Sequence, residues 1–286
     1  MNPIRNLLLA AMLLCLGAQL THAKEWTITP EGLTLRANWE QAGGKEDVTF
    51  VVLHGTLAHN EMEIISGLQQ VLADRGFSSL AVNLSLGIDA RASSNYPCEH
   101  PHSHRHEDAV AELDAWVREL TDRGYTRLVI AGHSRGGNQV ARYLDGNPGG
   151  QVLAGMLIAP MIGDTQPDGQ EAMLLEEARE TDWLEDTDLL YCQGSKVSGA
   201  SYISYYSPGE EFDTLLLAER IGKPLLLFAG TDDTVVEALP GRFAALREAG
   251  KLEQVEYHLL DGADHFFRDL FLEDIGDLAE EFVAGL

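Results

Sequence analysis

Short apolar runs alternate along this chain with segments whose apolar residues recur at helical spacing, and that alternation predicts a mostly parallel sheet. Trp26 to Trp39 reads as an opening β-hairpin turning at Pro30-Glu31-Gly32. Thr49 to Leu53 is continuously apolar, as a strand covered on both faces should be. A helix follows, with Asn60 as its expected cap, Glu63 as the capping-box partner and Ile64, Leu68 and Val71/Leu72 as its apolar stripe. Ser79 to Leu84 is the next strand. His106 to Arg123 carries Val110, Leu113, Trp116/Val117 and Leu120 at helical spacing. Arg127 to Ala131 is a strand, Arg135 to Leu144 a helix and Val152 to Ile158 a strand.

The rhythm stops from Gly163 to Lys223. It resumes with strand Pro224 to Phe228, a helix over Leu239 to Glu248, strand Val255 to Leu260 and a last helix from Phe266. The interruption is too long for a simple connection. Residues 163–223 are therefore expected to be a lid inserted after the sixth strand. No repeat and no low-complexity linker divides the rest, so residues 24–286 read as one domain.

The amino terminus changes the picture. Arg5 precedes an almost wholly apolar run, Leu7 to Leu20, and Thr21-His22-Ala23 puts small residues at the −3 and −1 positions of a cleavage site. This is the layout of a secretory signal peptide over residues 1–23, too short for a membrane span, so no stable membrane insertion is expected. An uncleaved anchor is the rival reading. Export to the periplasm or the medium would leave Cys98 and Cys192 in an oxidising compartment, where two cysteines can pair. The formal net charge of −25 argues against nucleic acid and anionic membrane faces as partners and leaves a small-molecule substrate. Nothing in the pattern speaks to oligomeric state.

Four segments carry chemistry. Gly132-His133-Ser134-Arg135-Gly136 matches G-x-S-x-G between a strand and a helix, where the nucleophile must project from a strained turn and flanking side chains would collide. His54-Gly55-Thr56 ends the strand Val51-Val52-Leu53 and is placed to stabilise an oxyanion. Its donors are expected to be the N–H groups of Thr56, with Leu57 as the alternative, and of Arg135. Gly230-Thr231-Asp232-Asp233-Thr234-Val235 follows a strand and supplies two carboxylates, either of which could orient a histidine. Asp261-Gly262-Ala263-Asp264-His265-Phe266 follows the final strand.

With these segments in this order the chain resembles the α/β-hydrolase fold superfamily over nearly its whole mature length. The resemblance implies an eight-stranded, mostly parallel sheet with helices on both faces. It also implies a catalytic triad of Ser134, Asp233 and His265. The acid of such enzymes falls three residues after this glycine and shortly before a Val-Val pair, which selects Asp233, with Asp232 the alternative. The spacing leaves room for the insert between Ser134 and Asp233 and for a helix and a strand before His265. The function implied is hydrolysis of a carboxylic ester, or a related acyl bond, through an acyl-serine.

An exported peptidase, a non-catalytic binding protein and a metal-binding protein are the alternatives. A non-catalytic descendant usually loses a triad member, and none is missing. No dinucleotide or phosphate-binding fingerprint is present, so no cofactor is expected. The histidines His100, His102, His104 and His106 raise the metal question. Pro101 and the expected helix start at His106 break a ligating geometry, and these side chains are expected on the active-site rim or in solvent. The aromatics Trp183, Tyr191, Tyr202, Tyr205 and Tyr206 of the insert fit an apolar substrate pocket or simple packing equally. The acids Glu176, Glu177, Glu180, Asp182, Glu185, Asp186 and Asp188 around them disfavour a strongly anionic substrate.

Overall fold

The computed structural model describes residues 24–163, 167, 169–207 and 209–286. The expected signal peptide lies outside the described residues. Eight strands form one sheet in the order β1-β2-β4-β3-β5-β6-β9-β10. β1 (Lys24–Ile28) and β2 (Leu35–Glu40) are the antiparallel hairpin, and β2 also runs antiparallel to β4 (Ser78–Asn83). β3 (Thr49–Leu53), β5 (Leu128–His133), β6 (Val152–Ile158), β9 (Leu225–Gly230) and β10 (Val255–Leu260) complete a parallel set with β4. β3, β4, β5 and β9 are buried along their whole length, which explains their unbroken apolar or small-residue sequences.

The strand order reverses at β3. Right-handed crossovers therefore carry α1 (Glu63–Asp74) to one face and α2 (Asp108–Asp122) and α3 (Arg135–Asp145) to the other. The packing agrees: α1 lies against α8 (Phe271–Ala284), while α2 lies against α3. α7 (Leu239–Glu248) links β9 to β10. The reversal also opens a crevice at the carboxyl ends of β3 and β5, where loops can build a site.

Three local expectations are corrected. Asn60 does not cap α1, which starts at Glu63 behind Met62. Its buried side chain instead donates to the Ala81 carbonyl of β4 (3.1 Å) and accepts from Ser93 Oγ (2.7 Å), so a tertiary demand overrides the local one. α2 starts at Asp108 rather than His106, because Asp108 closes a turn by accepting from Arg105 N (2.7 Å). α8 starts at Phe271 rather than Phe266, since Phe267 and Asp269 take left-handed backbone at φ 48° and 61°.

Between β6 and β9 the chain builds α4 (Gly169–Glu180), a hairpin of β7 (Trp183–Leu189) and β8 (Cys192–Ser198), α5 (Gly199–Tyr206) and α6 (Thr214–Arg220). Leu175, Leu184, Leu189, Val197, Tyr202 and Tyr205 give this insert a small core of its own. Its seam with the domain is the histidine segment. Pro101 to His106 alternates strictly between exposed and buried, so His102, His104 and His106 face inward. His102 N donates to Lys196 O, and Ser198 N donates to His102 O, both at 2.8 Å, adding a short parallel bridge to β8. Ser201 Oγ donates to His104 O (2.6 Å), and His104 Nδ1 meets the Tyr205 hydroxyl at 2.8 Å. The expected rim or solvent position of these three histidines is thus wrong: they are core. Only His100 is exposed.

A disulfide between Cys98 and Cys192 fastens the same seam and closes a separation of 94 residues. On the chain-entropy account, a loop of that length stabilises by about 4–5 kcal/mol. The double variant Cys98→Ala/Cys192→Ala is therefore expected to melt at least about 10 °C below the oxidised protein in calorimetry. An unchanged melting temperature would contradict this.

Candidate active site

The register of the central strands assembles the site. Leu53 of β3 pairs with Gly132 of β5, and His133 pairs with Ile158 of β6. The loops leaving β3 and β5 therefore start side by side. Ser134, between β5 and α3, has φ 56° and ψ −123°, a conformation that costs about 1–3 kcal/mol in a non-glycine residue. Its N–H donates to Ile158 O (2.9 Å), and its carbonyl accepts from Gly137 N (2.9 Å) and Met161 N (3.0 Å). A Cβ on Gly132 would lie 2.4 Å from the Gly136 oxygen, and one on Gly136 would lie 2.3 Å from the His54 oxygen. The two glycines of the motif are thus demanded by close backbone approach.

On the far side of the sheet, Gly230 pairs with Leu260, bringing the loops after β9 and β10 together. His265 Nδ1 meets Asp233 Oδ2 at 2.8 Å, with both side chains buried. The other carboxylate oxygen accepts from Val235 N (2.7 Å) and Val236 N (3.0 Å). Burial pushes the Asp233 carboxyl up, but the bonds from His265, Val236 and Val235 outweigh it and leave the group below its ordinary range. Asp232 is exposed. Its N–H donates to Ala263 O (3.0 Å), and among the described residues its carboxylate accepts only from Thr231 Oγ1 (3.3 Å). Of the two aspartates it is Asp233 that holds the histidine.

Ser134 and His265 both line a cavity of about 300 Å³. Ala58, Met62, Ile64 and Ile65 make its wall apolar, and Thr56 and Tyr191 also line it. Size and lining suit a small, largely apolar organic group. Among the insert's described aromatics only Tyr191 lines the cavity, and its hydroxyl donates to Leu57 O (3.0 Å). Tyr202 and Tyr205 pack the insert, and Trp183 is exposed. Glu176, Glu177, Glu180, Asp182, Glu185, Asp186 and Asp188 of the insert are all exposed, and none of them lines the cavity.

Thr56 and Arg135 flank Ser134. Gly55 is so close that a Cβ there would sit 3.2 Å from the Ser134 Cβ. Arg135 Nε donates to Thr56 Oγ1 (3.1 Å). Among the described residues, the backbone N–H groups of Thr56, Leu57 and Arg135 have no hydrogen-bond partner. Three further residues support the site: Arg91, which lies outside every motif, and His54 and His133, which lie within motifs but have no role assigned from the sequence. Buried Arg91 donates to Leu84 O (2.6 Å), Ser94 O (2.7 Å), Asn83 Oδ1 (2.7 Å) and Ala58 O (2.8 Å). It also lies 3.2 Å from His54 Nε2. His54, pushed down to about 3 mainly by burial, is neutral, with Nδ1 against Gly55 O at 2.9 Å. These two residues fix the loop that carries Thr56. His133, lowered to about 4 by burial and then by His265, donates from Nε2 to the His265 carbonyl (2.8 Å). No group of three or more histidine, cysteine or acidic side chains among the described residues is arranged to hold a metal ion.

Residues 50–281 match the model of the alpha/beta hydrolase family. The chain belongs to that family. No curated protein matches it by sequence. Solved structures share the hydrolase fold at low identity. Est1E from Butyrivibrio proteoclasticus is 18% identical with a TM-score of 0.63, covering 91% of this chain and 98% of that one. The esterase Pf2001 of Pyrococcus furiosus is 20% identical with a TM-score of 0.61, covering 92% and 90%. A monoacylglycerol lipase of Paleococcus ferrophilus is 20% identical with a TM-score of 0.63, covering 88% and 98%. These likenesses agree with the mostly parallel eight-stranded sheet traced above.

Proposed function

We propose that the protein is an exported serine hydrolase that cleaves a carboxylic ester through an acyl-serine intermediate. The observation that carries this reading is one geometry: a strained Ser134 shares an apolar cavity with His265, whose Nδ1 is held by Asp233. With Nδ1–H given to the carboxylate, the Nε2 of His265 carries the free lone pair. It takes the Ser134 proton as Oγ attacks the ester carbonyl carbon, a contact that tightens when substrate binds. The carbonyl oxygen becomes an oxyanion facing the N–H groups of Thr56 and Arg135. The C–O bond then breaks, and His265 returns the proton to the leaving alcohol. Water repeats the sequence on the acyl-serine, releasing the acid and restoring Ser134. Asp233 orients the imidazole and stabilises its charged form.

Esterase and lipase functions of the structural neighbours are consistent with an ester as the bond cleaved. The leader-like amino terminus and the disulfide support export. In this reading the insert serves as the cover of the site, with Tyr191 at the cavity.

Turnover of a series of 4-nitrophenyl esters tests the assignment when Asp233→Asn and Asp232→Asn are compared. Asp233→Asn is expected to lower kcat about 10⁴-fold with KM little changed, by favouring the wrong tautomer of His265. Asp232→Asn is expected to stay within a few-fold of the parent. Equal losses, or a loss confined to Asp232→Asn, would contradict the assignment.

A further inference from the structure

The side chain of Arg135 is not used by the chemistry above, which needs only its backbone N–H. It leaves the residue next to the nucleophile and is partly buried against the insert, with its guanidinium 5.4 Å from the Tyr205 ring centre. One of its five N–H donors goes to Thr56, a residue of the cavity wall. The four on its two terminal nitrogens have no hydrogen-bond partner among the described residues, and no carboxylate pairs with the group. The chain carries 45 acidic and 20 basic residues, yet no acid is paired with Arg135, and unlike buried Arg91 it does not spend its terminal donors on carbonyl groups. Elsewhere Arg36, Arg75, Arg220 and Arg242 each reach a carboxylate. Burial works against the charge of Arg135 and pushes the group down, with Tyr205 and Tyr206 favouring the charge to a lesser degree. A partly desolvated guanidinium with four free donors is matched in shape and charge by a carboxylate.

We propose that Arg135 binds a carboxylate on the substrate, so that the preferred substrates are esters with one apolar half and one anionic half. The inference rests on the acyl-transfer role of Ser134. Arg135 is absent from the apolar lining of the cavity, so the charged half lies outside that cavity and the uncharged half within it. The seven acids between Glu176 and Asp188 do not oppose this arrangement, because all of them face solvent and are screened over about 8 Å at physiological ionic strength. A rigid fork beside the nucleophile also fixes the ester carbonyl relative to Ser134 Oγ.

The test compares each charged ester with its neutral amide of the same shape. One pair, 4-nitrophenyl hydrogen glutarate and 4-nitrophenyl glutaramate, places the charge in the acyl half. The other, O-butyryl-lactate and O-butyryl-lactamide, places it in the alcohol half. The parent is expected to favour the charged member of at least one pair by about ten- to a hundredfold in kcat/KM. Arg135→Gln is expected to bring that ratio near one, and Arg135→Lys to keep part of it with a raised KM. A ratio near or below one for the parent in both pairs, with neutral esters turned over, would overturn this inference alone. Equal losses on charged and neutral esters in Arg135→Gln would also overturn it, and would assign the side chain to holding Thr56. No turnover of any ester by the folded parent would overturn the hydrolase reading as well.

Discussion

Replacing Ser134 with alanine is expected to lower kcat by about 10⁵- to 10⁶-fold on any ester the protein turns over, with the fold intact. The Oγ has no hydrogen-bond partner among the described residues, so its loss strands no buried donor or acceptor. The strain at φ 56° is the same for alanine as for serine. His265→Ala is expected to cost a similar factor, because a nucleophile without its base is as inert as a base without its nucleophile. The double variant should then be no worse than either single one, since the two groups act as a unit. Single-turnover and steady-state measurements on a 4-nitrophenyl ester check all three. A Ser134→Ala protein retaining more than about one per cent of activity would remove the serine from the mechanism.

Acid is expected to unfold this protein near pH 4 to 5. Five histidines are buried and held neutral: His54 and His104 at about 3, His102 and His133 at about 4, and His106 well below its ordinary value. Burial is the largest cause in each. In the unfolded chain they take up protons near 6.5, so the stability they permit is present above pH 6.5 and is lost as pH falls towards the folded values. Each such histidine contributes a slope of about 1.4 kcal/mol per pH unit, about 7 for five. Glu112 opposes them. Burial raises its carboxyl to about 7 despite two bonds from Ser85, so its stabilising neutral form returns on acidification. One group against five leaves a net fall of about 5–6 kcal/mol per unit, which exhausts a typical stability of about 5–15 kcal/mol within one to three units. Tryptophan fluorescence titrated from pH 8 to 3 should show a steep cooperative transition. An unchanged spectrum down to pH 4 would contradict the burial of these rings.

What the sequence made legible was what short-range constraint dictates. Gly132 and Gly136 are readable because backbone approaches within van der Waals contact leave no other residue type. The choice of Asp233 is readable for a physical reason too: the Val-Val pair after it supplies the two N–H groups that hold one carboxylate oxygen. The insert is readable as a break in rhythm, though the placement of its aromatics is not. Tyr191 and Tyr202 look alike in sequence, yet one reaches the cavity and the other fills the insert core. The histidine segment is hard to place from sequence because its partners lie far along the chain, on β8 and α5. The signal was present as H-x-H-x-H, a two-residue alternation that places one face inward. Arg91 offered no such signal. Its role exists only once the loop after β4 folds back on the end of β3.

The central claim is that Ser134 is an activated nucleophile, and covalent labelling with a fluorophosphonate tests it most directly because it requires no knowledge of the substrate. Purified parent, Ser134→Ala and His265→Ala proteins would be exposed to the probe and the site of attachment mapped by mass spectrometry. The account predicts attachment to Ser134 alone in the parent, and none in either variant. A folded parent that takes no label, or label on another residue that persists in Ser134→Ala, would contradict it.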